Sequence, residues 1–461
     1  MSSTAAKPSP ARSGPVQAVS ALTRRIPAGL RPTRAIHWGV SEGLPRFALR
    51  TSARRGDLQG RLVVATNQPD PAPAWQVIED IRARGPLPRT AFGRVTARHA
   101  VVREVLSSPA FAAGVPGPAQ PWLVRLRDWA APDTLHPMHP PSLLVTEPPD
   151  HVRYRKLVTR VFTARAVERL RDRTEEIAAG LLDDLAARAG DGPVDLVEHY
   201  CAPLPVAVIC EVLGVPEDQH SKVLEMGTAA AASLDMGLPW SEYRQVDTAL
   251  AAFDTWLSDH LRLLRSRPGD DLMSQLVRAQ DDGVGLSEQE LKATAGLVLA
   301  AGFETTVNLL GNAVVLLREN PEQLAVLRED PSWWGNAVEE ALRVDPPVLL
   351  TARTCREETT VAGVSVSPGM LVATVLGGAN RDPEVFADPT RFDVKRANAR
   401  EHLSFSAGRH HCLGASLARM EGEVGLRALF DRFPDLQLAP GAVRRPTRIL
   451  RGYHRLPVVL A

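Results

Sequence analysis

Cysteine is scarce in this sequence: four cysteines occur among 461 residues, and they follow no framework spacing. This scarcity argues against a disulfide-stapled domain and favours a reducing, intracellular setting. The sequence also lacks an apolar run of about 18 residues, the length that indicates a transmembrane helix. No charged-then-apolar signal peptide opens the chain. We therefore expect a cytoplasmic protein without a transmembrane segment.

Acidic residues are rare in the first part of the chain, although the whole sequence is nearly neutral with a net charge of +1. Residues 1–61 hold eleven Lys or Arg but only Glu42 and Asp57 as acids. Such a basic segment, rich in Ser, Ala and Pro, indicates either a solvated extension or a weak membrane-surface contact through Phe47 and Leu49. We expect a solvated N-terminal extension over residues 1–70, and no nucleic-acid partner.

The most informative stretch is residues 405–414, which read F-S-A-G-R-H-H-C-L-G. Gly408 and Gly414 flank Cys412, and an alanine-rich helical pattern follows directly, so the sulfur lies on a tight loop at a helix N-terminus. Backbone N–H groups and the helix dipole favour a thiolate there. Zinc and iron–sulfur sites need several thiolates, whereas one thiolate suits the axial position of a haem iron. A buried structural cysteine would be the commoner reading of a single cysteine, but the ten-residue pattern argues against it.

This stretch resembles the haem-ligand motif F-G-x-G-x-H-x-C-x-G of the cytochrome P450 haem–thiolate monooxygenases, in particular their soluble bacterial branch. Ser406 stands where the family usually has glycine, which restricts the loop backbone but leaves the ligand in place. The resemblance implies that Cys412 binds the iron of haem b. The matching positions, all expected to contact or support the haem, are Phe405, Gly408, His410, Cys412 and Gly414.

A long apolar helix is predicted before this motif. Ser287 and Glu290 form a capping box, and the helical pattern continues for about 32 residues, or about 48 Å, until Asn320-Pro321. Its middle reads A-G-F-E-T-T over residues 301–306, matching the family pattern A-G-x-D/E-T-T. Taken alone, this would indicate a close helix crossing. Beside a haem, the pair Glu304 and Thr305 is expected to hold a water and relay protons, with Ala301 close to the haem.

Glu340 and Arg343 form an E-x-x-R pair on another predicted helix. Taken singly, such a pair is usually an exposed ion pair that contributes little. The resemblance implies a buried pair that is joined by an arginine from a later segment, and D-P-T-R-F supplies Arg391 for this role. We expect these three residues to support folding and haem retention rather than catalysis.

Two further segments are expected to face the haem. His151 and Arg155 lie four residues apart on one helical face after E-P-P-D. Alone they would be a solvated basic face, but the resemblance implies that they, with Arg353, contact the haem propionates, which need charged donors. Residues 112–146 are either a loop shaping the pocket or ordinary packing. The predicted pocket is apolar and is formed by Leu297, Val298, Ala301, Val348, Leu349 and Leu450.

The resemblance covers residues 71–461, which we predict to form a single domain. It implies a mainly α fold with a small β region, in which the haem lies between the long helix and the cysteine loop. The implied reaction inserts one oxygen atom from O2 into a largely apolar small molecule. Oxidative coupling, desaturation, peroxide-driven chemistry and a non-catalytic haem sensor are the alternatives.

The sequence shows no Gly-rich dinucleotide fingerprint and no flavin-binding segment. Electrons from NAD(P)H are therefore expected to arrive through a ferredoxin and its reductase. A basic cluster near the cysteine is the predicted docking patch, and the enzyme is expected to be a monomer. The patch comprises Arg153, Lys156, Arg409 and Arg419.

Overall fold

The computed structural model describes residues 32–114, 120–132, 134–161, 163–188, 190, 192–235, 237–279, 285–445 and 447–460. Most of these residues are helical. The helices are α1 (Pro32–Trp38), α2 (Leu44–Arg54), α3 (Leu58–Thr66), α4 (Ala72–Ala83), α5 (His99–Ser107), α6 (Pro121–Ala130), α7 (Asp150–Val161), α8 (Ala164–Glu168), α9 (Arg171–Arg188), α10 (Pro203–Val212), α11 (His220–Ala231), α12 (Trp240–Ser266), α13 (Leu272–Arg278), α14 (Glu288–Glu319), α15 (Pro321–Glu329), α16 (Trp334–Val344), α17 (Leu376–Ala379) and α18 (Ala415–Arg432). π-Helical turns cover Gly39–Gly43 and Val197–Cys201.

Besides five short 3-10 helices, short strands make up the rest of the regular structure of the described residues. They are β1 (Arg89–Thr90), β2 (Gly93–Thr96), β3 (Phe111–Ala113), β4 (Val194–Asp195), β5 (Leu350–Cys355), β6 (Thr359–Val361), β7 (Val364–Val366), β8 (Leu371–Val375), β9 (Gln437–Leu438), β10 (Val443–Arg444), β11 (Tyr453–Arg455) and β12 (Pro457–Val459). The largest sheet has the order β1-β2-β8-β5-β3, in which only the β2–β8 pair is parallel. The prediction of a mainly α fold with a small β region is confirmed.

Helix α14 is the axis of the main core. Ser287 caps it by accepting a hydrogen bond from the backbone N–H of Glu290, whose side chain accepts from the Ser287 N–H in return. The predicted capping box and the stop at Asn320-Pro321 are therefore confirmed. Among the described residues, α14 is the one helix long and apolar enough to cross a membrane, but 67% of its most apolar window is buried. This burial is typical of the core helix of a globular fold.

The basic N-terminal segment is partly integrated into the fold. Leu58, Leu62 and Ala65 of α3 share a hydrophobic cluster with Ile78 of α4. Further along, Glu42 accepts hydrogen bonds from the backbone N–H groups of Gly237 and Leu238. Residues 32–66 are thus helical and packed rather than a loosely docked arm, because their apolar side chains find partners in the domain. Residues 1–31 of the predicted extension lie outside the described residues.

The two residues of the alternative membrane-surface contact, Phe47 and Leu49, lie on different faces of helix α2. Leu49 is buried, whereas Phe47 is 71% exposed and Leu44 lies on the same outer face.

Helix α6 lies within residues 112–146, the segment for which the sequence indicated either a pocket loop or ordinary packing. Its ten residues begin with Pro121, a residue that suits the first turn of a helix.

The buried ion pair between α16 and the later loop differs from the prediction in one residue. Arg343 donates from Nε and Nη2 to the two carboxylate oxygens of Glu340, each at 2.7 Å, and both side chains are fully buried. The third guanidinium is that of Arg396, whose Nε lies 2.9 Å from Glu340 Oε1. Arg391 is exposed and contributes only its backbone carbonyl, which accepts from Arg343. The prediction of Arg391 as the side-chain partner is therefore wrong.

We predict that Arg396→Gln lowers the free energy of unfolding by about 1.5–3 kcal/mol, the range for a hydrogen bond to a charged group. The variant also loses the donors to the backbone carbonyls of Ala387 and Asp388. Arg391→Gln is the matched control and should change the value by less than about 0.5 kcal/mol. Urea denaturation of both variants measures this difference, and equal losses would restore Arg391 to the network.

Candidate active site

The cysteine loop is held by backbone contacts on both sides. The Cys412 N–H donates to the carbonyl of Phe405 at 2.9 Å, which closes the loop. Gly408 has a φ of +70°, and a Cβ there would lie 2.6 Å from the Leu106 carbonyl oxygen, so only glycine fits. Ser406 also has a positive φ, +61°. Ser406 therefore adopts the backbone conformation that the motif's glycine would have, at a steric cost of about 1–2 kcal/mol.

Cys412 is the exposed cysteine among the four free cysteines of the described residues. It lies three residues before α18. Part of its surface is exposed, and protein atoms surround the rest of the side chain. Burial raises the pKa of its thiol, whereas the Gly414 N–H and the guanidinium groups of Arg155 and Arg419 act in the opposite direction. The helix-end effect predicted from the sequence is present but does not dominate. A metal ion at the sulfur would reverse the balance, because coordination deprotonates a thiol.

Helix α14 presents an accessible face in its middle. Ala301 is exposed and Thr305 is half-buried, although the neighbouring Phe303 and Glu304 are buried. The Thr305 hydroxyl donates to the Ala301 carbonyl at 3.0 Å. Such back-bonding leaves the hydroxyl oxygen free to accept from a water. An accessible stretch on an otherwise buried helix indicates space for a large ligand.

Glu304 has a partner that the sequence did not suggest. Its Oε1 lies 2.7 Å from Nη1 of Arg445, in the C-terminal segment. Burial raises the pKa of Glu304, and Arg445 opposes this shift. No sequence motif indicates Arg445. It lies 141 positions after Glu304, in a loop whose conformation cannot be predicted from hydrophobic periodicity. The pair holds the carboxyl group inside the fold beside Thr305.

The predicted propionate contacts have the chemistry that this role requires. Arg353 is 5% exposed and forms no ion pair with a carboxylate among the described residues; its guanidinium donates to the Ala352 carbonyl. Burial lowers its pKa to about 10. The Nε2 atom of buried His151 has no hydrogen-bond partner, and burial lowers the pKa of this imidazole to about 4. Arg353 lacks a carboxylate partner and His151 Nε2 lacks any hydrogen-bond partner, both of which are costly for buried groups, so both residues fit an acidic group supplied by a cofactor.

His410 and Arg155 lie close to these predicted propionate contacts and to Cys412. The rings of His151 and His410 have centroids 4.4 Å apart. Arg155 is close enough to Cys412 for the two to affect each other's pKa. A Cβ on Gly414 would meet nothing within 4 Å, which leaves room for a flat ligand against the loop. The residues present therefore fit a haem.

Glu147 supports the loop and was missed in the sequence analysis. Its carboxylate accepts from Arg409 at 3.0 Å, His410 at 3.1 Å and the Ala113 backbone N–H at 2.7 Å. These partners lower its pKa against the opposing effect of burial. In the sequence, Glu147 is notable only for its position directly before Pro148-Pro149. That position does not indicate which residues its carboxylate would bind.

The predicted substrate residues divide into two groups. Leu297, Val298 and Val348 are half-buried, and Val348 bridges to Leu450. Leu349 has no exposed area and belongs to the cluster around Ile78. Leu349 therefore packs in the core rather than lining the accessible space, since side chains alternate along an extended segment.

Comparison with known proteins decides the family. The cytochrome P450 family profile matches residues 130–331 and 335–449. The chain belongs to the cytochrome P450 family. A cytochrome P450 140 of Mycobacterium tuberculosis is 50% identical over 437 residues, covering 92% of this chain and 97% of the relative. Residues 71–461 make up less than 92% of the chain, so the similarity to this relative extends into residues 1–70.

Two further similarities agree. The 6-deoxyerythronolide B hydroxylase of Saccharopolyspora erythraea is 46% identical over 320 residues, 68% of this chain and 77% of the relative. The solved structure of Mycobacterium smegmatis CYP164A2 superimposes with a TM-score of 0.76 at 33% identity, covering 87% of this chain and 99% of that one. The predicted family is confirmed, and the chain is a bacterial-type haem-dependent monooxygenase.

We predict that Arg353→Gln speeds haem loss about tenfold or more, because a charge-assisted contact is worth about 1.5–3 kcal/mol. Arg356→Gln, three residues further on at an exposed position, is the matched control. Transfer of haem to excess apomyoglobin measures the rate. Equal rates for the two variants would show that Arg353 does not hold the cofactor.

Proposed function

We propose that this cytochrome P450 inserts one oxygen atom from O2 into a largely apolar small molecule, by hydroxylation or epoxidation, in a natural-product tailoring step. The observation that carries the proposal is the accessible face of α14, where Ala301 and Thr305 lie beside the buried Glu304. An acid–alcohol pair has no use in a haem protein that only binds ligands.

Haem binding is assigned to residues from three parts of the chain. Cys412 would supply the iron ligand as a thiolate. Arg353, His151 and Arg155 hold the propionates, with His410 beside them. When bound, the haem supplies oxygen activation, while the protein positions the substrate and manages protons.

Thr305 and Glu304 have complementary roles in proton transfer. The Thr305 hydroxyl donates to its own helix at Ala301, so its oxygen accepts a hydrogen bond from a water. Glu304 has a raised pKa, which brings its proton exchange closer to neutral pH. Its Arg445 partner holds the carboxyl group in place while the proton passes.

The half-buried side chains of Leu297, Val298 and Val348 support an apolar substrate. The hydroxylase from Saccharopolyspora erythraea acts, by its name, on 6-deoxyerythronolide B. This similarity supports a natural-product substrate for the present enzyme, and binding titrations that follow the haem absorption band are the way to identify it.

Electron supply is assigned to a separate ferredoxin and its NAD(P)H-dependent reductase, with the enzyme acting as a cytoplasmic monomer. All four cysteines are free, which supports a reducing compartment. The docking patch needs revision in detail, because Arg153 and Arg409 already pair with acids, whereas Arg419 shares its acid, Glu339, with Arg400. The surplus of positive charge lies around Glu339, whose single carboxylate faces Arg400, Arg419 and His402.

This cluster lies beside the haem ligand. Arg419 stacks over the ring of Phe405, with its guanidinium carbon 4.5 Å from the ring centroid. Arg400 is the outermost member, with a side chain that is 76% exposed. An acidic ferredoxin would meet Arg400 first.

Thr305→Ala should lower the amount of product formed per NAD(P)H consumed and raise peroxide release, because the variant loses the hydroxyl that accepts from water. Thr305→Ser keeps the hydroxyl and should restore most of the coupling. Product, peroxide and NAD(P)H are measured in the same reaction. Unchanged coupling in the alanine variant would remove Thr305 from the proton route.

Arg400→Glu should slow ferredoxin-driven reduction several-fold at low salt, and the difference should shrink as salt screens the charges. Arg262→Glu is the control, since Arg262 on α12 is similarly exposed and also pairs with an acid. Stopped-flow reduction by ferredoxin is compared with reduction by dithionite. If Arg262→Glu slows the reaction as much as Arg400→Glu, the patch around Glu339 is not the docking site.

A further inference from the structure

A small pocket lies between the end of α3 and the C-terminal segment, and of its lining residues only Arg445 has a role in the proposed oxygenase reaction. Three of its nine lining residues are arginines. The lining consists of Ala65, Thr66, Gln68, Pro71, Arg444, Arg445, Thr447, Arg451 and Gly452. The pocket therefore carries a concentration of positive charge at the surface.

The acids near the pocket do not balance this charge. Asp345 is the shared partner of two lining arginines, with Oδ2 at 2.9 Å from Arg444 and Oδ1 at 3.4 Å from Arg451. Arg381 also acts on Asp345, and together the three guanidinium groups lower its pKa against the opposing effect of burial. Three guanidinium groups thus surround one carboxylate. Arg445 is neutralised separately by Glu304.

Several of the guanidinium N–H groups have no hydrogen-bond acceptor. Nη1 of Arg444 and Nη2 of Arg451 are buried without a hydrogen-bond partner, and Nε of Arg451 has only its 3.4 Å ion-pair contact with Asp345. Arg451 is only 7% exposed, so water does not solvate its side chain freely. Burial lowers the pKa of Arg451. Buried guanidinium N–H groups without an acceptor are costly, and an acceptor in the pocket would remove that cost.

We propose that this pocket binds a small oxyanion, the carboxylate or phosphate group of a free metabolite or of inorganic phosphate. Guanidinium groups bind such oxyanions through paired N–H donors, and the free donors of Arg444 and Arg451 are of this kind. Gln68 lines the pocket and is exposed to solvent, so we place the entrance for ions from solution there. The site does not involve the haem, so it does not depend on the proposed oxygenase reaction.

The position of the pocket gives it a connection to the active site. Arg445 lines the pocket and its Nη1 contacts Glu304 at 2.7 Å. Behind it, Gly452 approaches Asn308 of α14 so closely that a Cβ would lie 2.0 Å from the amide oxygen. Only the side chain of Arg445 would therefore separate an anion in the pocket from the carboxyl group of Glu304.

The test uses the ferric holoenzyme in chloride buffer at constant ionic strength. Inorganic phosphate and acetate are titrated separately, and binding is followed by calorimetry and by the shift of the thermal unfolding midpoint. Saturable binding of either anion, with a matching rise in the midpoint, is the expected result. The tighter of the two identifies which oxyanion class the site prefers. No saturable binding of either anion would overturn the proposal.

Three variants locate the site. Arg451→Gln should weaken binding about tenfold or more, equivalent to about 1.4 kcal/mol, because it removes the free donors. Gln68→Glu places a negative charge at the mouth without touching the Asp345 cluster, and should weaken binding several-fold. Gln437→Glu adds the same charge at an exposed position outside the lining and should bind like the wild type.

The variants also give the contradicting outcome. If Arg451→Gln does not fold, Gln68→Glu against Gln437→Glu decides the question. Equal binding by Gln68→Glu and Gln437→Glu would show that the anion binds elsewhere, and the proposal would fail even with the haem chemistry intact.

Discussion

The close packing of α14 against α18 sets the distance between the cysteine loop and the middle of the long helix. α18 begins at Ala415, three residues after Cys412. A Cβ on Gly425 would lie 2.8 Å from Leu204 and 3.2 Å from Leu310, so the backbone of α18 approaches its neighbours as only glycine allows. Larger side chains in such a contact typically cost about 1–3 kcal/mol. The position of the thiol relative to Thr305 therefore depends on packing.

A buried acid at the same helix contact adds little charge. Glu421 of α18 is fully buried next to Thr306, and burial raises its pKa well above the usual range of a glutamate. A neutral carboxylic acid is compatible with an apolar interface, whereas a carboxylate without a cation is not. The interface between the two helices thus stays close and uncharged at this contact.

The same argument accounts for the arginines. Arg343 and Arg396 meet Glu340 inside the fold and need nothing from outside. Arg353 lacks such a carboxylate, which fits the propionates of a haem. Arg451 shares one acid with other arginines and keeps free donors, which fits a soluble oxyanion. Buried guanidinium groups in this fold therefore show where an acidic group is missing.

How far the sequence predicts the structure depends on how local each signal is. The capping box at Ser287, the length of α14 and the cysteine loop follow from neighbouring residues, so pattern reading found them. The choice between Arg391 and Arg396 depends on the path of an irregular loop, and both arginines lie within six positions. Arg445 meets Glu304 only through the tertiary fold. The packing of residues 32–66 was missed because a basic composition concealed the apolar side chains of α3.

The central claim is that the sulfur of Cys412 binds the iron of a haem. The most direct measurement is the absorption spectrum of the ferrous–carbonyl complex of the haem-loaded protein and of Cys412→Ser. We predict a strongly red-shifted Soret band for the wild type and its absence in Cys412→Ser. A wild-type spectrum without that band, or a variant that retains it, would contradict sulfur ligation and the account of the site built on it.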